Sequence, residues 1–415
     1  MPKIPIKNIV ARQILDSRGL PTVEVNVETA KGFGVFGVPS GVSTGKHEAL
    51  ELRDGGKEFE GLGISKAVAN VNQILAKKIK GMDVQAQELI DRTMIDIDDT
   101  PNKSRLGANA ILGVSGAVSK AAAVCLRRPL FKYLASLYKN KKPKLPLPMT
   151  VVIEGGAHGD TNLDLQEYLL IPHGKNLWEN LKIVSEIFHE LAKVLKSRKL
   201  NSNIGNEGAY SPHVESNKQP LDFILEAANN LNYKKGQDFS LALDVAASHF
   251  YNQKERQYIL SADKTSLSAE RLVSMLKEWA QHYSIISLED PLAEEDWAGW
   301  RAMMERFGKN MLIVGDDLFV TQKSRLQKGI NLKVANAVII KPNQVGTVTE
   351  TLETVQLAQK HNYKIIVSHR AGETTDDFIA DLAVGISADY LKCSIAKGER
   401  VAKYNRLLTI EQELL

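Results

Sequence analysis

Short apolar segments that each end at a charged or polar residue recur through the second half of the chain, and they constrain its fold more than any other feature. The residues that end them are, in chain order, Asp244, Glu289, Asp316, Lys341, His369 and Lys392. From Glu289 onward the intervals lie between 23 and 28 residues, the length of a strand, a loop and an amphipathic helix. This repeat predicts a (βα) barrel, whose strands carry chemistry at their carboxyl ends. We therefore expect the six side chains to converge on one pocket.

A different pattern precedes this repeat. Residues 22–28 alternate between apolar and polar, and a second β-branched run follows a turn at residues 34–38, which predicts an antiparallel hairpin. Helical, alanine-rich patterns then fill residues 64–138. The sequence predicts an α/β protein with a small α+β N-terminal domain at residues 1–138 and the barrel at residues 139–415. A linker rich in lysine and proline, residues 139–148, joins the two.

Composition narrows the class of protein. The 53 basic and 49 acidic residues leave a net charge of only +4, which is too balanced to indicate a nucleic-acid partner. No apolar run reaches the roughly 18 residues that a membrane span needs, and the N-terminus lacks the apolar core of a secretion signal. Two cysteines give no disulfide framework. We expect a soluble cytoplasmic protein with no membrane or nucleic-acid partner.

Three of the strand-end residues are carboxylates on consecutive strands. Asp244, Glu289 and Asp316 would repel one another, and raise one another's pKa, unless a cation holds them together. Their oxygen ligands suit a hard ion such as Mg²⁺. Pairing with surface lysines or arginines would explain any one of them but not three in register. A zinc site is excluded, because the closest approach to its motif, residues 189–193, lacks the second histidine.

The other polar residues suggest a reaction. Lys341 follows the next strand, where burial near divalent cations would lower its pKa and make it a general base. Glu207 lies between two glycines, a setting that can present a general acid but is, on this fragment alone, more typical of a turn. His369, Arg370 and Lys392 are donors suited to a phosphate or a carboxylate. Together they predict proton abstraction next to a carboxylate, followed by loss of a β leaving group.

The glycine-rich segment at residues 40–47 is similar in composition to a phosphate-binding loop but does not match the spacing of that motif. It has three residues between its glycines where the motif needs four, and His47 follows Lys46 where the motif needs Ser or Thr. Its small residues favour a mobile lid, and Ser43 offers a hydroxyl to a metal.

Long literal strings in this chain resemble the enolase family in the same order and over essentially the whole length. They are PSGVSTG from Pro39, LDVAAS from Leu243, LEDPLAEEDW from Leu288, IKPNQVGTVTET from Ile340 and VSHRAGET from Val367. The resemblance implies a modified (βα)8 TIM-type barrel preceded by a domain that contributes lid loops. It also implies two Mg²⁺ ions per active site and, as the activity, dehydration of 2-phosphoglycerate to phosphoenolpyruvate, a glycolytic lyase reaction.

The resemblance further implies roles for individual residues. Lys341 matches the catalytic base and Glu207 the acid, with Glu167 beside it. The implied metal ligands are Asp244, Glu289 and Asp316 for the tighter ion and Ser43, on the lid, for the second. The implied substrate contacts are His158, Gln166, Glu167, Lys341, His369, Arg370, Ala371 and Lys392, with Arg370 on the phosphate and Lys392 on the carboxylate. The family is usually a homodimer and sometimes an octamer.

Several neighbours of these residues depart from the family pattern. Glu154 stands where the family has Asn, which puts a potential negative charge on a loop at the mouth of the site. Asn206 replaces Asp, His249 replaces Glu and Ala371 replaces Ser, and the run after Lys392 is one residue short. These changes leave three hypotheses open: the family's reaction, a paralogue acting on a related phosphorylated or phosphonated 2-hydroxy acid, and a non-catalytic binding role.

Overall fold

The computed structural model describes residues 2–42 and 45–414. Its N-terminal unit contains a three-stranded antiparallel sheet of β1 (Ile6–Leu15), β2 (Pro21–Thr29) and β3 (Phe33–Gly37), in that order. The predicted hairpin is confirmed, because β2 and β3 pair from Glu24 opposite Gly37 to Glu28 opposite Phe33. The alternation of residues 22–28 places Val23, Val25 and Val27 in the core.

Helices cover this sheet, as the alanine-rich pattern predicts. They are α1 (Ser65–Asn70), α2 (Ala76–Ile79), α3 (Gln87–Asp98), α4 (Ala108–Cys125) and α5 (Leu130–Leu137), with a π-helical turn at Val71–Leu75 and a 3-10 turn at Glu58–Gly61. Helix α4 packs closely on the sheet, because a Cβ on Gly34 would lie 2.2 Å from the backbone nitrogen of Ala121. Only glycine allows that approach.

Helix α4 is also the one helix among the described residues that is long and apolar enough to cross a membrane. However, 83% of it is buried inside the protein. Its glycines Gly113 and Gly116 face Val25 and Phe36 of the sheet. This is the setting of a core helix, and its apolar composition is explained by packing on both sides.

The second unit is a closed barrel of eight strands. They are β4 (Leu147–Glu154), β5 (Glu167–Pro172), β6 (Phe239–Asp244), β10 (Ile285–Glu289), β11 (Leu312–Gly315), β12 (Ala337–Ile340), β13 (Lys364–Ser368) and β14 (Tyr390–Lys392). Around the barrel the order is β10, β11, β12, β13, β14, β4, β5, β6, and β14 closes it by pairing with β4. The predicted modified (βα)8 barrel is confirmed, preceded by a smaller α+β unit.

The modification lies in β5, which runs antiparallel to both of its neighbours. Only residues 155–166 connect β4 to β5, and that loop holds a single 3-10 turn at Gly156–His158 instead of a crossover helix. A short connection of this kind joins antiparallel strands, whereas a parallel pair needs a longer crossover. The first residues of β5 therefore lie at the same rim as the last residues of the other strands.

Helices surround the barrel. They are α6 (Leu177–Ser197), α7 (Gln219–Asn230), α8 (Ala269–Tyr283), α9 (Trp297–Phe307), α10 (Lys323–Leu332), α11 (Pro342–Val345), α12 (Val348–Lys360), α13 (Phe378–Gly385) and α14 (Gly398–Leu414). Side-chain caps fix several starts: Asn176, Ser268 and Thr347 each accept the backbone N–H three residues on. A small sheet of β7 (Tyr251–Asn252), β8 (Gln257–Leu260) and β9 (Thr265–Leu267) follows a 3-10 turn at Ala247–Phe250.

The linker is shorter than the sequence predicts. Strand β4 begins at Leu147, whose N–H donates to the Asp389 carbonyl at 3.0 Å, so the last two residues of the predicted linker belong to the barrel. The prolines of this segment argue against a strand, but the first residues of a strand tolerate proline. Asn140 anchors the segment by donating to the Gly385 carbonyl at 2.9 Å. The domain boundary at residues 138 and 139 stays a prediction.

Candidate active site

The six strand-end residues lie where the repeat predicts. Strands β6, β10 and β14 end at Asp244, Glu289 and Lys392, and the remaining three residues, Asp316, Lys341 and His369, directly follow β11, β12 and β13. All are buried except the Lys341 side chain, which is 12% exposed. The described part of the chain thus gathers six polar side chains at one rim of the barrel.

Four carboxylates form a row on adjacent strands at this rim. Glu154 of β4 is in register with Glu167 of β5, Glu167 with Asp244 of β6, and Asp244 with Glu289 of β10. All four are at most 2% exposed. Glu167 joins the row because β5 is antiparallel, so a residue at the start of that strand meets residues at the ends of the others.

The Lys392 side chain neutralises much of this row. Its Nζ lies 2.6 Å from Glu167 Oε2, 3.0 Å from Asp244 Oδ2 and 2.8 Å from Glu289 Oε2. Burial on its own lowers the pKa of Lys392, but the surrounding carboxylates outweigh it and hold the pKa well above the usual value. The carboxylates around Lys392 therefore favour its protonated form.

Lys341 is paired with Asp316, and this ion pair affects the pKa of the lysine. Its ammonium donates to Asp316 Oδ2. Burial lowers the pKa of Lys341, as do Arg370 and Lys392, but the Asp316 carboxylate outweighs them and the pKa is raised. The predicted lowering of this pKa depends on divalent cations beside Lys341 and stays a prediction; without them, the Asp316 carboxylate keeps the pKa of Lys341 raised.

A second cluster surrounds Glu207. Its carboxylate lies 3.4 Å from His158 Nδ1 and 3.2 Å from His369 Nε2, and His158 Nδ1 is also 3.4 Å from Glu167. Burial raises the pKa of Glu207, but the charge of His158 and the hydrogen bonds from both His158 and His369 outweigh it and hold the pKa well below the usual range.

The other members of this cluster divide into groups that hold a proton and groups that do not. Burial lowers the pKa of His158, but Glu207 and Glu167 raise it to about 10. Burial and Arg400 lower the pKa of His369 to about 4, despite Glu207. Burial raises the pKa of Glu167 to about 7, with Lys392 opposing and Glu207 adding to the rise. His158 therefore favours its protonated form and His369 its neutral form, while burial makes the Glu167 carboxyl easier to protonate than usual.

The N-terminal unit reaches this rim. Ser40 forms a backbone bridge with Gly372, and Glu48 Oε1 accepts a hydrogen bond from Arg370 at 3.1 Å. Val42 contributes to the wall of the central cavity. Ser43, the expected lid ligand of a second metal, lies outside the described residues.

One cavity collects most of the predicted site. It is lined by Val42, His158, Gln166, Glu167, Glu207, Asp244, Lys341, Ser368, His369, Arg370, Ala371 and Lys392. Every predicted substrate contact lies on this wall, together with the predicted acid and base. Glu289 and Asp316 lie behind it, in contact with the ammonium groups of Lys392 and Lys341.

Acidic oxygen atoms at this rim could hold a metal ion. The Oδ1 atom of Asp244 is buried and has no hydrogen-bond partner among the described residues. Burial raises the pKa of Glu289 well above its usual value, and Asp244 and Asp316 add to the rise, so these carboxylates favour a further cation. Other described groups within 4.8 Å of one another could also hold an ion: Asp290 with Asp316 and Asp317, Glu154 with His158 and Glu207, and Glu167 with Glu207 and His369. The predicted trio of Asp244, Glu289 and Asp316 is not among those groups.

Three residues of the site were not found from the sequence. Arg400, fully buried on α14, donates to His369 Nδ1 at 2.9 Å and so leaves the ring hydrogen on Nε2, facing Glu207. Gln344 donates to Asp316 Oδ1 at 2.9 Å. Asp290 accepts the N–H of Asp316 at 3.1 Å and of Asp317 at 2.7 Å. Gln344 and Asp290 lie inside the quoted strings, whereas no local signal distinguishes Arg400 from a surface arginine.

Glu154 was expected on a loop at the mouth of the site, and this expectation is wrong. It is the last residue of β4 and is fully buried. Burial, followed by repulsion from Glu207, raises the pKa of Glu154 to about 8. The side chain faces the loop that bears Glu207, because it accepts the N–H groups of Glu207 and Ala209.

Cys393 follows Lys392, and its surroundings predict an unreactive thiol. It is fully buried, and burial raises its pKa to about 12, whereas Cys125 is partly exposed. The thiolate is the reactive form of cysteine. At pH 8 a thiol reagent should therefore label about one cysteine per chain in the native protein and two in the unfolded protein. Cys125→Ser should abolish the native reaction and Cys393→Ser should not. Rapid native labelling of the Cys125→Ser variant would contradict this burial.

The fold and the rim together define a class: a TIM-barrel enzyme whose site combines acidic residues able to bind metal with two lysines, Lys341 and Lys392. A family model described as "Enolase, N-terminal domain" matches residues 6–134, and one described as "Enolase, C-terminal TIM barrel domain" matches residues 142–415. The chain belongs to the enolase family. It is therefore an enzyme of the enolase superfamily, whose members act on small molecules and typically use Mg²⁺.

Proposed function

We propose that this protein is a magnesium-dependent phosphopyruvate hydratase, which eliminates water from 2-phosphoglycerate to give phosphoenolpyruvate in glycolysis and gluconeogenesis. The observation that carries the proposal is that one cavity wall holds the lysine, carboxyl and imidazole groups that such an elimination needs. Lys341, Glu207 and His158 all lie on that wall, next to the carboxylate row.

Lys341 is the proposed base. Its Nζ accepts the proton from the α-carbon of the substrate, and the electron pair of that C–H bond moves toward the substrate carboxylate. Two Mg²⁺ ions, held by Asp244, Glu289 and Asp316 and by Ser43, would supply the charge that stabilises this dianionic carboxylate. Neutralising Asp316 also removes the attraction that raises the pKa of Lys341, which favours the neutral amine that a base requires.

The second step breaks the bond between the β-carbon and its hydroxyl oxygen. The oxygen leaves with the electron pair and takes a proton from the Glu207 cluster, so that the product is water. We assign the acid role to Glu207, with Glu167 beside it; because the pKa of Glu207 is low, the proton that it passes on would come from Glu167 or His158. Support comes from the pKa of about 7 for Glu167 and about 10 for His158, which keep exchangeable protons within 3.4 Å of these carboxylates at neutral pH.

The remaining groups bind the substrate. Arg370 is proposed to bind the phosphate, since a buried guanidinium presents paired donors to it, and Lys392 the carboxylate. His158, Gln166, His369 and Ala371 complete the wall. In the structure Arg370 pairs with Glu48, and Lys392 pairs with the carboxylate row. Binding would replace these ion pairs: the substrate would pair with Arg370 and Lys392, and the metal with carboxylates of the row.

The test is a direct assay. Purified protein with Mg²⁺ is expected to convert 2-phosphoglycerate to phosphoenolpyruvate, and a chelator is expected to stop the reaction. If the folded, metal-bound protein turns this substrate over no faster than Lys341→Ala does, the proposed reaction is wrong.

A second candidate is a paralogue that acts on a related phosphorylated or phosphonated 2-hydroxy acid. Two observations favour it: Ala371 places a methyl on the cavity wall where the family has a hydroxyl, and Glu154 brings a carboxyl to the loop that bears the acid. Turnover of a phosphonate or homologous acid faster than of 2-phosphoglycerate would support this candidate.

We also propose a cytoplasmic homodimer, with an octamer as the alternative. The unpaired cysteines Cys125 and Cys393 support a reducing compartment. The dimer rests on family membership. Light scattering of the purified protein distinguishes a monomer of 45.9 kDa from either assembly.

A further inference from the structure

We propose that Glu154 is a positioning residue for Glu207: its two carboxylate oxygens hold the backbone of the loop that presents the Glu207 side chain to His158 and His369. The inference rests on the proposed function for its kinetic consequence. The geometry on which it depends does not involve a metal or a substrate.

Both oxygens of Glu154 are used on the same loop. Oε2 accepts the N–H of Glu207 at 2.9 Å, and Oε1 accepts the N–H of Ala209 at 3.1 Å. The side chain is fully buried, so no water competes for these bonds. Whether Glu154 is ionised or protonated, each of its two oxygens keeps a lone pair that can accept an N–H, whereas an amide provides one acceptor and one donor.

The loop is built around this contact. A Cβ on Gly205 would lie 2.4 Å from Glu154 Oε1, so the carboxylate occupies the space that any side chain at position 205 would need. Ala209 is fully buried and packs in the core of the barrel. The loop is therefore pressed between the carboxylate and the barrel interior.

Other side chains hold the carbonyl side of the loop. Lys397 donates to the Gly205 carbonyl at 2.8 Å, and Ser394 donates to the Glu207 carbonyl. Glu154 supplies the acceptors for the N–H groups of Glu207 and Ala209. Both the N–H and the carbonyl of Glu207 are therefore hydrogen-bonded to side chains. This restricts the movement of its carboxylate away from the imidazoles of His158 and His369.

The test uses Glu154→Gln, which keeps the size of the side chain but turns one acceptor into a donor facing a backbone N–H. We expect kcat on 2-phosphoglycerate to fall by at least 10-fold while KM changes by less than about 3-fold, because Glu207 acts in the chemical step. Asp54→Asn is the matched control. Asp54 also accepts two backbone N–H groups, from Ser65 at 2.7 Å and Lys66 at 2.8 Å, but lies in the N-terminal unit. Its kcat should stay within about 2-fold of the wild type.

A double-mutant cycle separates positioning from general destabilisation. If Glu154 acts through Glu207, adding Glu154→Gln to Glu207→Gln should lower kcat by less than about 2-fold further. A full 10-fold further loss, or an unchanged kcat in Glu154→Gln alone, would overturn the proposal.

Crystal structures of the wild type and Glu154→Gln give a readout that does not need activity. We expect the distance from Glu207 Oε2 to His369 Nε2, 3.2 Å here, to lengthen by more than 1 Å in the variant. A lengthened distance with a wild type inactive on 2-phosphoglycerate would support the positioning role and reject the proposed function. An unchanged distance would overturn the positioning role whatever the activity.

Discussion

Replacing Lys392 with methionine is expected to lower the melting temperature of the metal-free protein by about 6 °C or more, and Mg²⁺ is expected to restore most of that loss. The ammonium contacts Glu167, Asp244 and Glu289, and removing it leaves buried carboxylates without their cation. Breaking a buried ion pair costs about 3–5 kcal/mol, and each kcal/mol corresponds to about 2–4 °C in domains of moderate size. Thermal melts in a chelator and in Mg²⁺ measure both effects.

Lys403→Met is the matched control for Lys392→Met. Lys403 is also fully buried and paired with a carboxylate, Glu373, at 2.8 Å, but it does not contact the carboxylate row. The Lys403→Met variant should also have a lower melting temperature than the wild type. However, Mg²⁺ should raise the melting temperature of this variant no more than it raises that of the wild type. If Mg²⁺ stabilises Lys392→Met no more than Lys403→Met, the row does not bind the ion and the assignment of Asp244 and Glu289 as ligands is wrong.

Lys341→Ala is expected to reduce kcat for 2-phosphoglycerate by about 10²- to 10⁴-fold, the range that a general base contributes. The variant removes the amine that takes the α-proton but leaves Arg370 and Lys392 to bind the substrate, so KM should change far less than kcat. Steady-state kinetics at saturating Mg²⁺ measure the two constants. Circular dichroism confirms that the variant is folded.

Lys364→Ala provides the comparison for the loss of a lysine ion pair. Lys364 begins strand β13, at the opposite end of the barrel from His369, and pairs with Asp389 at 2.8 Å near the surface. Exposed pairs of this kind contribute about 0–1 kcal/mol, so both kcat and stability should change little. Activity of Lys341→Ala within 10-fold of Lys364→Ala would remove Lys341 from the role of base.

The repeat of strand ends is the part of the site that the sequence reveals most directly. Asp244, Glu289 and Lys392 each end a strand in the structure, because an apolar run that stops at a charge is a local pattern and a barrel brings such ends to one rim. Glu167 does not obey that rule. It begins its strand, and only the antiparallel course of β5 brings it to the rim, so the residues alone gave no reason to place it there.

Other properties depend on contacts between distant parts of the chain. The raised pKa of Lys341 comes from Asp316, which follows the preceding strand, and the lowered pKa of His369 comes from burial together with Arg400, 31 residues later. Glu154 was expected on a loop at the mouth of the site, because two glycines follow it. Its burial follows from β4 continuing to its last residue, which the proline-rich start of that strand obscures.

The hairpin of β4 and β5 affects the order in which the site is assembled during folding. Glu154, His158 and Glu167 lie within 14 residues of one another, so the contacts of the acidic half close a short loop at little entropic cost. Lys392 instead comes from the last strand and reaches these carboxylates only when β14 pairs with β4, more than 200 residues earlier in the chain. Contacts of such high sequence separation form slowly. Pairing of β14 with β4 therefore closes the barrel and also places the Lys392 ammonium beside the carboxylates. Completion of the fold is thus coupled to neutralisation of the negative charge in the site.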